Sequence, residues 1–209
     1  MELTAAVVPI PSVSTDSEII HRSRDTPAAF GELFDRHARS LRRYAASRAG
    51  NAVADDVMSE TFLIAFERRD RFDHSWDDAG PWLFGIATNV LRQHHRAESL
   101  RLKTIARSGH EVADDAFVAV ASRVDARLAI RKIAAILKSM STVNRDSLLL
   151  WAWADLTYEQ IAHATAVPIG TVRSRINRAR SVLRHASKSI AEREQEKEHG
   201  RANPATPFA

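Results

Sequence analysis

The most distinctive side chains of this sequence form a basic run in its last third. Between Thr171 and Lys188 there are six Lys or Arg residues and no acidic residue. If this run forms a helix, successive side chains point about 100° apart, and one stripe of the helix surface is apolar. The stripe consists of Val172, Ile176, Ala179, Leu183 and Ala186. The other side carries short polar groups bordered by guanidinium groups, namely Thr171, Arg173, Ser174, Arg175, Asn177, Arg178 and Arg180. Base edges lie between phosphates in the major groove of DNA, so this face predicts DNA contact.

The segment before the basic run predicts the element that positions it. Thr157 and Gln160 have the T-x-x-Q spacing of a capping box, which starts a helix at Tyr158. Residues 166–170, AVPIG, form a turn, and Pro168 suits the start of the next helix. A short helix, a tight turn and a longer basic helix are the arrangement of a helix-turn-helix, which reads DNA through its second helix.

A second group of basic and aromatic side chains lies in the first half of the sequence. It consists of Arg68, Arg69, Arg71, Phe72 and Trp76 in a polar loop, and of Asn89, Arg92, His95 and Arg96 on the helix that follows. Basic groups hold phosphates and aromatic rings stack on unpaired bases, so this group predicts contact with a single DNA strand. For Phe72 and Trp76, packing beneath the loop is an equally weighted alternative.

The helix predicted between Gly50 and the polar loop begins with acidic side chains. Asp55, Asp56 and Glu60 favour the positive end of the helix dipole, and the same carboxylates offer negative charge to a basic partner. Phe62 and Phe66 follow on the same helix and are predicted to turn inward.

Helical periodicity runs through most of the sequence, and no stretch alternates with period two as a strand would. The predicted fold is all-α, with two helical bundles joined by a flexible linker. The predicted parts are a disordered N-terminal tail at residues 1–24, a first domain at 25–98, the linker at 99–121, a second domain at 122–187 and a frayed C-terminal tail at 188–209.

The composition argues against several kinds of site. The 209 residues include no cysteine, which excludes disulfides and thiolate metal ligands. His94 and His95 are adjacent, so on a helix they point about 100° apart and are poorly placed to share an ion. No nucleophile elbow or glycine-rich phosphate loop is found. We therefore expect no metal, no cofactor and no catalytic residue.

The net charge and the lengths of the apolar runs limit which partners and which compartment we expect. A formal net charge of +4 favours a polyanionic partner. No apolar run approaches the roughly 20 residues that cross a bilayer, and residues 1–18 lack the basic start and apolar core of a secretory signal. We expect a cytoplasmic protein without membrane insertion.

Three stretches of the sequence resemble one protein family. Residues 54–72 read ADDVMSETFLIAFERRDRF, residues 80–97 read GPWLFGIATNVLRQHHRA, and residues 156–180 read LTYEQIAHATAVPIGTVRSRINRAR. In this order they resemble the sigma-70 family of RNA polymerase sigma factors, over residues 27–100 and 122–186. The segment between is too short for a middle promoter domain, as is typical of the small extracytoplasmic-function (ECF, group IV) sigma factors.

The resemblance implies a function and partners for each surface. It implies sigma region 2 in the first domain and sigma region 4 in the second, in a stress-response sigma factor that is not an enzyme. Such a factor binds the β and β′ subunits of core RNA polymerase, recognises the −10 and −35 promoter elements and aids promoter melting. The group of basic and aromatic side chains in the first half of the sequence would contact the −10 element, and the basic run at Thr171–Lys188 would contact the −35 element. An anti-sigma factor is a further expected partner. The implied polymerase contacts are Asp55, Asp56, Glu60, Phe62 and Phe66.

Four positions depart from the family pattern: Ser59, Gly85, Thr88 and Gln93. Gly85 and Thr88 stand where the family commonly has basic residues, so the middle of the −10 surface carries less charge. Glycine at position 85 also weakens the helix by about 1 kcal/mol relative to alanine, unless a close neighbour requires the space.

Two other classes of protein use a helix-turn-helix. A transcriptional regulator would need a ligand pocket or a phospho-acceptor fold, whereas residues 27–100 predict only a compact helical unit. A nucleic-acid enzyme would need clustered acidic metal ligands, whereas Asp77-Asp78 and Asp114-Asp115 are predicted in loops without partners.

Overall fold

The computed structural model describes residues 14–107 and 124–201. Within these ranges the chain forms α-helices and no strand, which confirms the all-α prediction. The first domain contains α1 (Asp16–Arg22), α2 (Gly31–Ala49), α3 (Asn51–Glu67) and α4 (Gly80–Arg107). The second contains α5 (Val124–Ser139), α6 (Thr142–Trp153), α7 (Tyr158–Thr165) and α8 (Ile169–Arg201). Short 3-10 turns at Pro27–Phe30 and Arg69–Arg71 precede α2 and follow α3.

The first domain is built on the packing of α2, α3 and α4. Gly50 joins α2 to α3 with a φ of 83°, a conformation that glycine adopts without steric cost. Leu33, Val57 and Leu83, one from each helix, are fully buried between them. These apolar contacts hold α3 and α4 side by side, and the two helices carry the predicted polymerase and −10 residues.

The segment before α2 is ordered. Thr15 caps α1 in a capping box with Glu18, and Ile19 and Ile20 on α1 are fully buried. The predicted disordered tail is therefore wrong for residues 16–22, because burial of these two side chains offsets the cost of ordering the helix. Residues 1–13 of that predicted tail lie outside the described residues.

Asp16 connects α1 to two other parts of the first domain. Its carboxylate accepts hydrogen bonds from Arg36 (2.7 Å) and His37 (2.6 Å) on α2, and from the backbone N–H of Ala79 (3.0 Å) just before α4. Burial alone would raise the pKa of Asp16, but the hydrogen bonds from His37, Ala79 and Arg36 outweigh burial and lower it from 3.8 to about 2.

Two helices extend beyond the predicted domain boundaries. α4 continues to Arg107, so residues 99–107 of the predicted linker are helical, while residues 108–121 lie outside the described residues. α8 continues to Arg201, so the predicted frayed tail is wrong for residues 188–201. Both extensions are rich in Ala, Leu, Glu, Lys, Arg and Gln, which have high helix propensity.

The second domain packs α6 and α7 against the first half of α8. Leu149, Leu150, Ile161 and Ile176 are buried at this junction. Their cluster continues into the buried side chains of the first domain, so the two bundles share one apolar core. No helix in residues 14–107 or 124–201 is long and apolar enough to span a membrane.

We predict that Asp16→Asn lowers the free energy of unfolding by about 2 kcal/mol at neutral pH. The lowered pKa means that ionised Asp16 stabilises the fold above pH 3.8, and that this contribution is lost as the pH falls toward 2. Urea unfolding followed by circular dichroism between pH 2 and 7 measures both effects. Asp25→Asn, at an exposed position, is the control. Equal stability losses in the two variants would contradict the assignment.

Candidate nucleic-acid and polymerase interfaces

The helix-turn-helix consists of α7, a turn and the start of α8. The backbone N–H of Thr157 donates to Gln160 Oε1 (2.8 Å), and the N–H of Gln160 donates to Thr157 Oγ1 (3.2 Å). The predicted capping box is thereby confirmed. Ala166 ends α7 in the left-handed region with a φ of 51°. Pro168 accepts hydrogen bonds from the N–H groups of Thr171 (2.8 Å) and Val172, so it starts α8 as predicted.

The first turns of α8 separate an apolar face from a polar one. Val172 and Ile176 are fully buried, while Arg173, Asn177 and Arg178 are exposed. The other predicted −35 residues, Thr171, Ser174, Arg175 and Arg180, are half-buried. The exposed part of the predicted surface therefore consists of two guanidinium groups and one amide on the same face.

Two of the half-buried residues are engaged within the second domain. Ser174 donates to the backbone oxygen of Thr171 (3.0 Å), which leaves its oxygen as an acceptor. The guanidinium of Arg180 lies 4.1 Å from the ring centre of Trp151 on α6, as a cation–π pair. Trp151 was not among the residues predicted at the −35 surface, because this contact joins residues on different helices.

The predicted −10 residues in the loop have different environments. Arg68 and Arg71 are exposed. Arg69 donates to the backbone oxygen of Phe66 (2.7 Å) and lies over the Phe66 ring at 4.2 Å, so it is held against α3. Phe72 is 4% exposed and packs on Trp82, so this ring belongs to the core and is not presented to a base.

The remaining −10 candidates line one side of α4. Asn89 and Arg96 are exposed, and Asn89 Oδ1 accepts from Arg92 (3.1 Å). His95 is half-buried, and burial, together with Arg48 and Arg145, lowers its pKa below 6.5. His95 is therefore mostly neutral at pH 7, and the positive charge on this side comes from the arginines.

The second domain covers part of the predicted −10 surface. Asp146 on α6 is fully buried, and its carboxylate accepts from Arg48 on α2 and from Arg92 on α4 (2.6 Å). The ring of Trp76 stacks on His163 of α7, with the ring centres 4.6 Å apart. Two predicted −10 residues, Arg92 and Trp76, thus contact the second domain in this conformation.

Gly85 allows α4 and α7 to approach closely. A Cβ at this position would lie 2.4 Å from the backbone oxygen of Ala164 on α7. No side chain fits at that distance, so the packing of the two helices requires glycine. The close neighbour that would justify glycine in the α4 helix is therefore the second domain.

Helix α3 presents the predicted polymerase contacts. Asp56 is exposed, Asp55 accepts from Arg42 (2.7 Å), and Glu60 lies 3.3 Å from His94. Phe62 is 7% exposed and Phe66 is half-buried against Phe30, so both rings support the helix from within.

Phe34 and Leu63 lie beside this acidic surface and are 43% and 59% exposed. Neither residue was predicted at an interface, because helical periodicity alone does not distinguish an exposed apolar residue from a buried one. Their exposure adds an apolar patch to the acidic side of α3.

Each of the two domains matches a known protein family. The profile of Sigma-70 region 2 matches residues 33–101, and that of Sigma-70 region 4 matches residues 130–183. The sigma factor NccH of Alcaligenes xylosoxydans xylosoxydans is 30% identical over 74% of this chain and 84% of NccH. The ECF sigma factor EcfG of Rhodopseudomonas palustris (strain TIE-1) is 32% identical over 69% of this chain and 77% of EcfG.

The chain is a sigma-70 family sigma factor of the ECF type. A solved structure of CnrH, in complex with the cytosolic domain of CnrY, aligns with a TM-score of 0.60 and 25% identity, over 83% of this chain and 97% of CnrH. The RpoE structure from Bartonella quintana, in complex with the anti-sigma factor NepR, shares the fold with a TM-score of 0.58 over 76% of this chain and 96% of RpoE.

Three side chains of this ECF sigma factor, Asp16, His37 and Asp78, come close enough to share a metal ion. The Asp16 carboxylate already accepts hydrogen bonds from Arg36, His37 and Ala79, and the charge of Arg36 opposes a cation. We assign these side chains to the structure of the first domain, where Asp16 and His37 hold α1 in place and Asp78 accepts from the backbone N–H of Gly80 (2.7 Å) at the start of α4.

We predict that Gly85→Ala loosens the packing of the two domains, although alanine favours a helix by about 1 kcal/mol. The added Cβ would meet Ala164, whereas a Cβ at the control position, Gly31, has no neighbour within 4 Å. Small-angle X-ray scattering should give a larger radius of gyration for Gly85→Ala and an unchanged one for Gly31→Ala. A compact and more stable Gly85→Ala variant would disprove the close packing.

Proposed function

We propose that this sigma factor directs core RNA polymerase to promoters by recognising −10 and −35 elements, and that it aids promoter melting. The observation that carries the proposal is the exposed face of α8. There Arg173, Asn177 and Arg178 project from a capped helix-turn-helix whose opposite face is buried. Guanidinium and amide groups in this arrangement suit both the bases and the phosphates of a major groove.

The −10 element is proposed to bind the first domain after the two domains separate. Arg92 is paired with Asp146 and Trp76 is stacked on His163, so neither side chain is free for DNA in the packed form. Arg68, Arg71 and Arg96 are exposed and give the strand a first site of electrostatic contact. Binding to the polymerase would supply the free energy that separates the domains.

Core polymerase is proposed to bind the side of α3 that carries Asp56 and Glu60, through its β′ subunit, while the second domain contacts β. The exposed Phe34 and Leu63 extend this surface with apolar area. Apolar side chains beside a charged surface suit a protein–protein interface, whose buried centre is usually more apolar than its rim.

An anti-sigma factor is proposed as a further partner, and the cytoplasm as the compartment. CnrH was solved with the cytosolic domain of CnrY, and the Bartonella quintana RpoE with NepR. The alternative of a regulator that acts without polymerase makes a different prediction, because it would bind its DNA site alone. Co-purification with core RNA polymerase separates these alternatives.

We expect the combined substitution of Arg173, Arg175 and Arg178 by alanine to abolish −35-dependent transcription. Each lost base contact costs about 1–3 kcal/mol, and each lost phosphate contact lowers the salt dependence of binding by about one unit of slope. Start-site mapping after overexpression identifies a promoter, and in vitro transcription at several salt concentrations then measures the effect. Arg39→Ala, at an exposed position on α2, is the control. Unchanged transcription by the triple variant would refute the −35 assignment.

Charge reversal on α3 tests the polymerase interface. We expect Asp56→Lys with Glu60→Lys to reduce the recovery of core enzyme in a pull-down at least tenfold, because two favourable contacts become repulsive. Asp56→Lys alone should give a smaller loss and leaves the Glu60–His94 contact intact. Asp25→Lys, at an exposed position, is the control with the same change of charge as Asp56→Lys. Full recovery of core enzyme by a folded double variant would rule out this surface.

A further inference from the structure

A cavity of about 590 Å³ lies where the two domains meet. We call it the seam cavity. The first domain contributes Arg48, Arg92, Arg96 and Ser99, and the second contributes Thr142 and Arg145 from the first turn of α6. The volume falls within the range of small-molecule pockets. Because its walls come from both domains, the cavity exists only while they are packed together.

The walls of the seam cavity carry more positive charge than the protein neutralises. Four arginines line it, and no lining residue is acidic. The carboxylate of Asp146 is fully buried and is already bound to Arg48 and Arg92, two of the lining arginines. Arg96 and Arg145 form no ion pair with any residue of the described ranges. Like charges repel more strongly in a partly desolvated site, so an anion would relieve a real cost.

The titration of Arg145 agrees with this imbalance. Burial lowers the pKa of Arg145, and Asp146 opposes the shift while Arg48 adds to it. Arg145 also lowers the pKa of His95, which lines the same cavity.

The first turn of α6 also lines the seam cavity. Thr142 is the first residue of α6, and the side chain of Ser141 makes no capping hydrogen bond to this helix. The positive end of the α6 dipole is therefore available to an anion. Leu100 and Val143 line the cavity and are 65% and 40% exposed, which gives it an apolar rim beside the arginines.

We propose that the seam cavity binds a small phosphorylated anion of nucleotide size, and that this anion holds the two domains together. Guanidinium groups match phosphate oxygens in charge and in geometry, and Arg96 and Arg145 would contact it from opposite domains. The apolar rim at Leu100 and Val143 would cover the part of the molecule that bears no charge.

Such a ligand would act as an inhibitor of promoter binding. It binds only the packed form, so by linkage it increases the population of that form. In the packed form Arg92 and Trp76 contact the second domain. Binding of the anion does not depend on the proposed promoter function, whereas its inhibitory effect does.

Binding is tested on the full chain by isothermal titration with inorganic phosphate, pyrophosphate, GDP and a single-stranded DNA 12-mer as separate probes. We expect pyrophosphate or GDP to bind the wild type, and Arg145→Gln to weaken that binding about tenfold or more, since a charge-assisted contact is lost. Arg43→Gln, at an exposed position on α2, should bind as the wild type does. Equal binding to Arg145→Gln and wild type, or binding of the DNA alone, would overturn the site.

Domain closure is measured separately. The sequence has no cysteine, so a dye pair is placed specifically at Asn51→Cys and Glu159→Cys, which are exposed positions in different domains. The probe that binds should raise energy transfer between the dyes, and should not do so in Arg145→Gln. A fall in energy transfer, or no change at saturation, would refute closure. Thr142→Val serves as a second variant with a milder expected loss if Arg145→Gln does not fold. Neither measurement uses polymerase or promoter, so its failure leaves the proposed function intact.

Discussion

The packing of the two domains depends on one carboxylate. Asp146 is fully buried, and removing such a group from water costs several kcal/mol unless its charge is compensated. The compensation comes from Arg48 and Arg92, on two different helices of the first domain. Arg48 also donates to the hydroxyl of Tyr44 (2.8 Å), whose oxygen lies 2.9 Å from Thr88 Oγ1. The contact between the domains is thereby extended into the centre of the first domain.

This contact stabilises the packing of the domains only while both the carboxylate and its arginines are present. Arg48 is itself 3% exposed, so the loss of Asp146 would leave a buried guanidinium without a carboxylate. The same geometry also determines which side chains remain available. Arg92 is occupied by Asp146, while Arg96 and Arg145 on either side of the seam cavity have no acidic partner among the described residues. The Asp146 contact therefore links the domains through ion pairs, in addition to their shared apolar core, and leaves an excess of positive charge beside it.

Features fixed by neighbouring residues could be predicted from the sequence, and those that depend on distant residues could not. The capping box at Thr157 and the turn at Pro168 involve residues close in sequence, and both appear as predicted. Thr15 and Glu18 form the same kind of box, yet that segment was predicted as disordered because prolines precede it. The contact between Arg48 and Asp146 joins residues 98 positions apart, and no local pattern indicates it. Side-chain exposure was equally hard to predict, so DNA contact and core packing were weighted equally for Phe72, which packs in the core.

The close approach at Gly85 limits how freely the two halves of this protein can be exchanged with those of relatives. The family pattern commonly has a basic residue at that position, and its side chain would collide with Ala164 on α7. A chimera that joins such a relative's first domain to this second domain would therefore keep the helices of both domains but lose the close packing of α4 on α7. The first and second domains, although separate in sequence, therefore have to be exchanged together if their packing is to be kept.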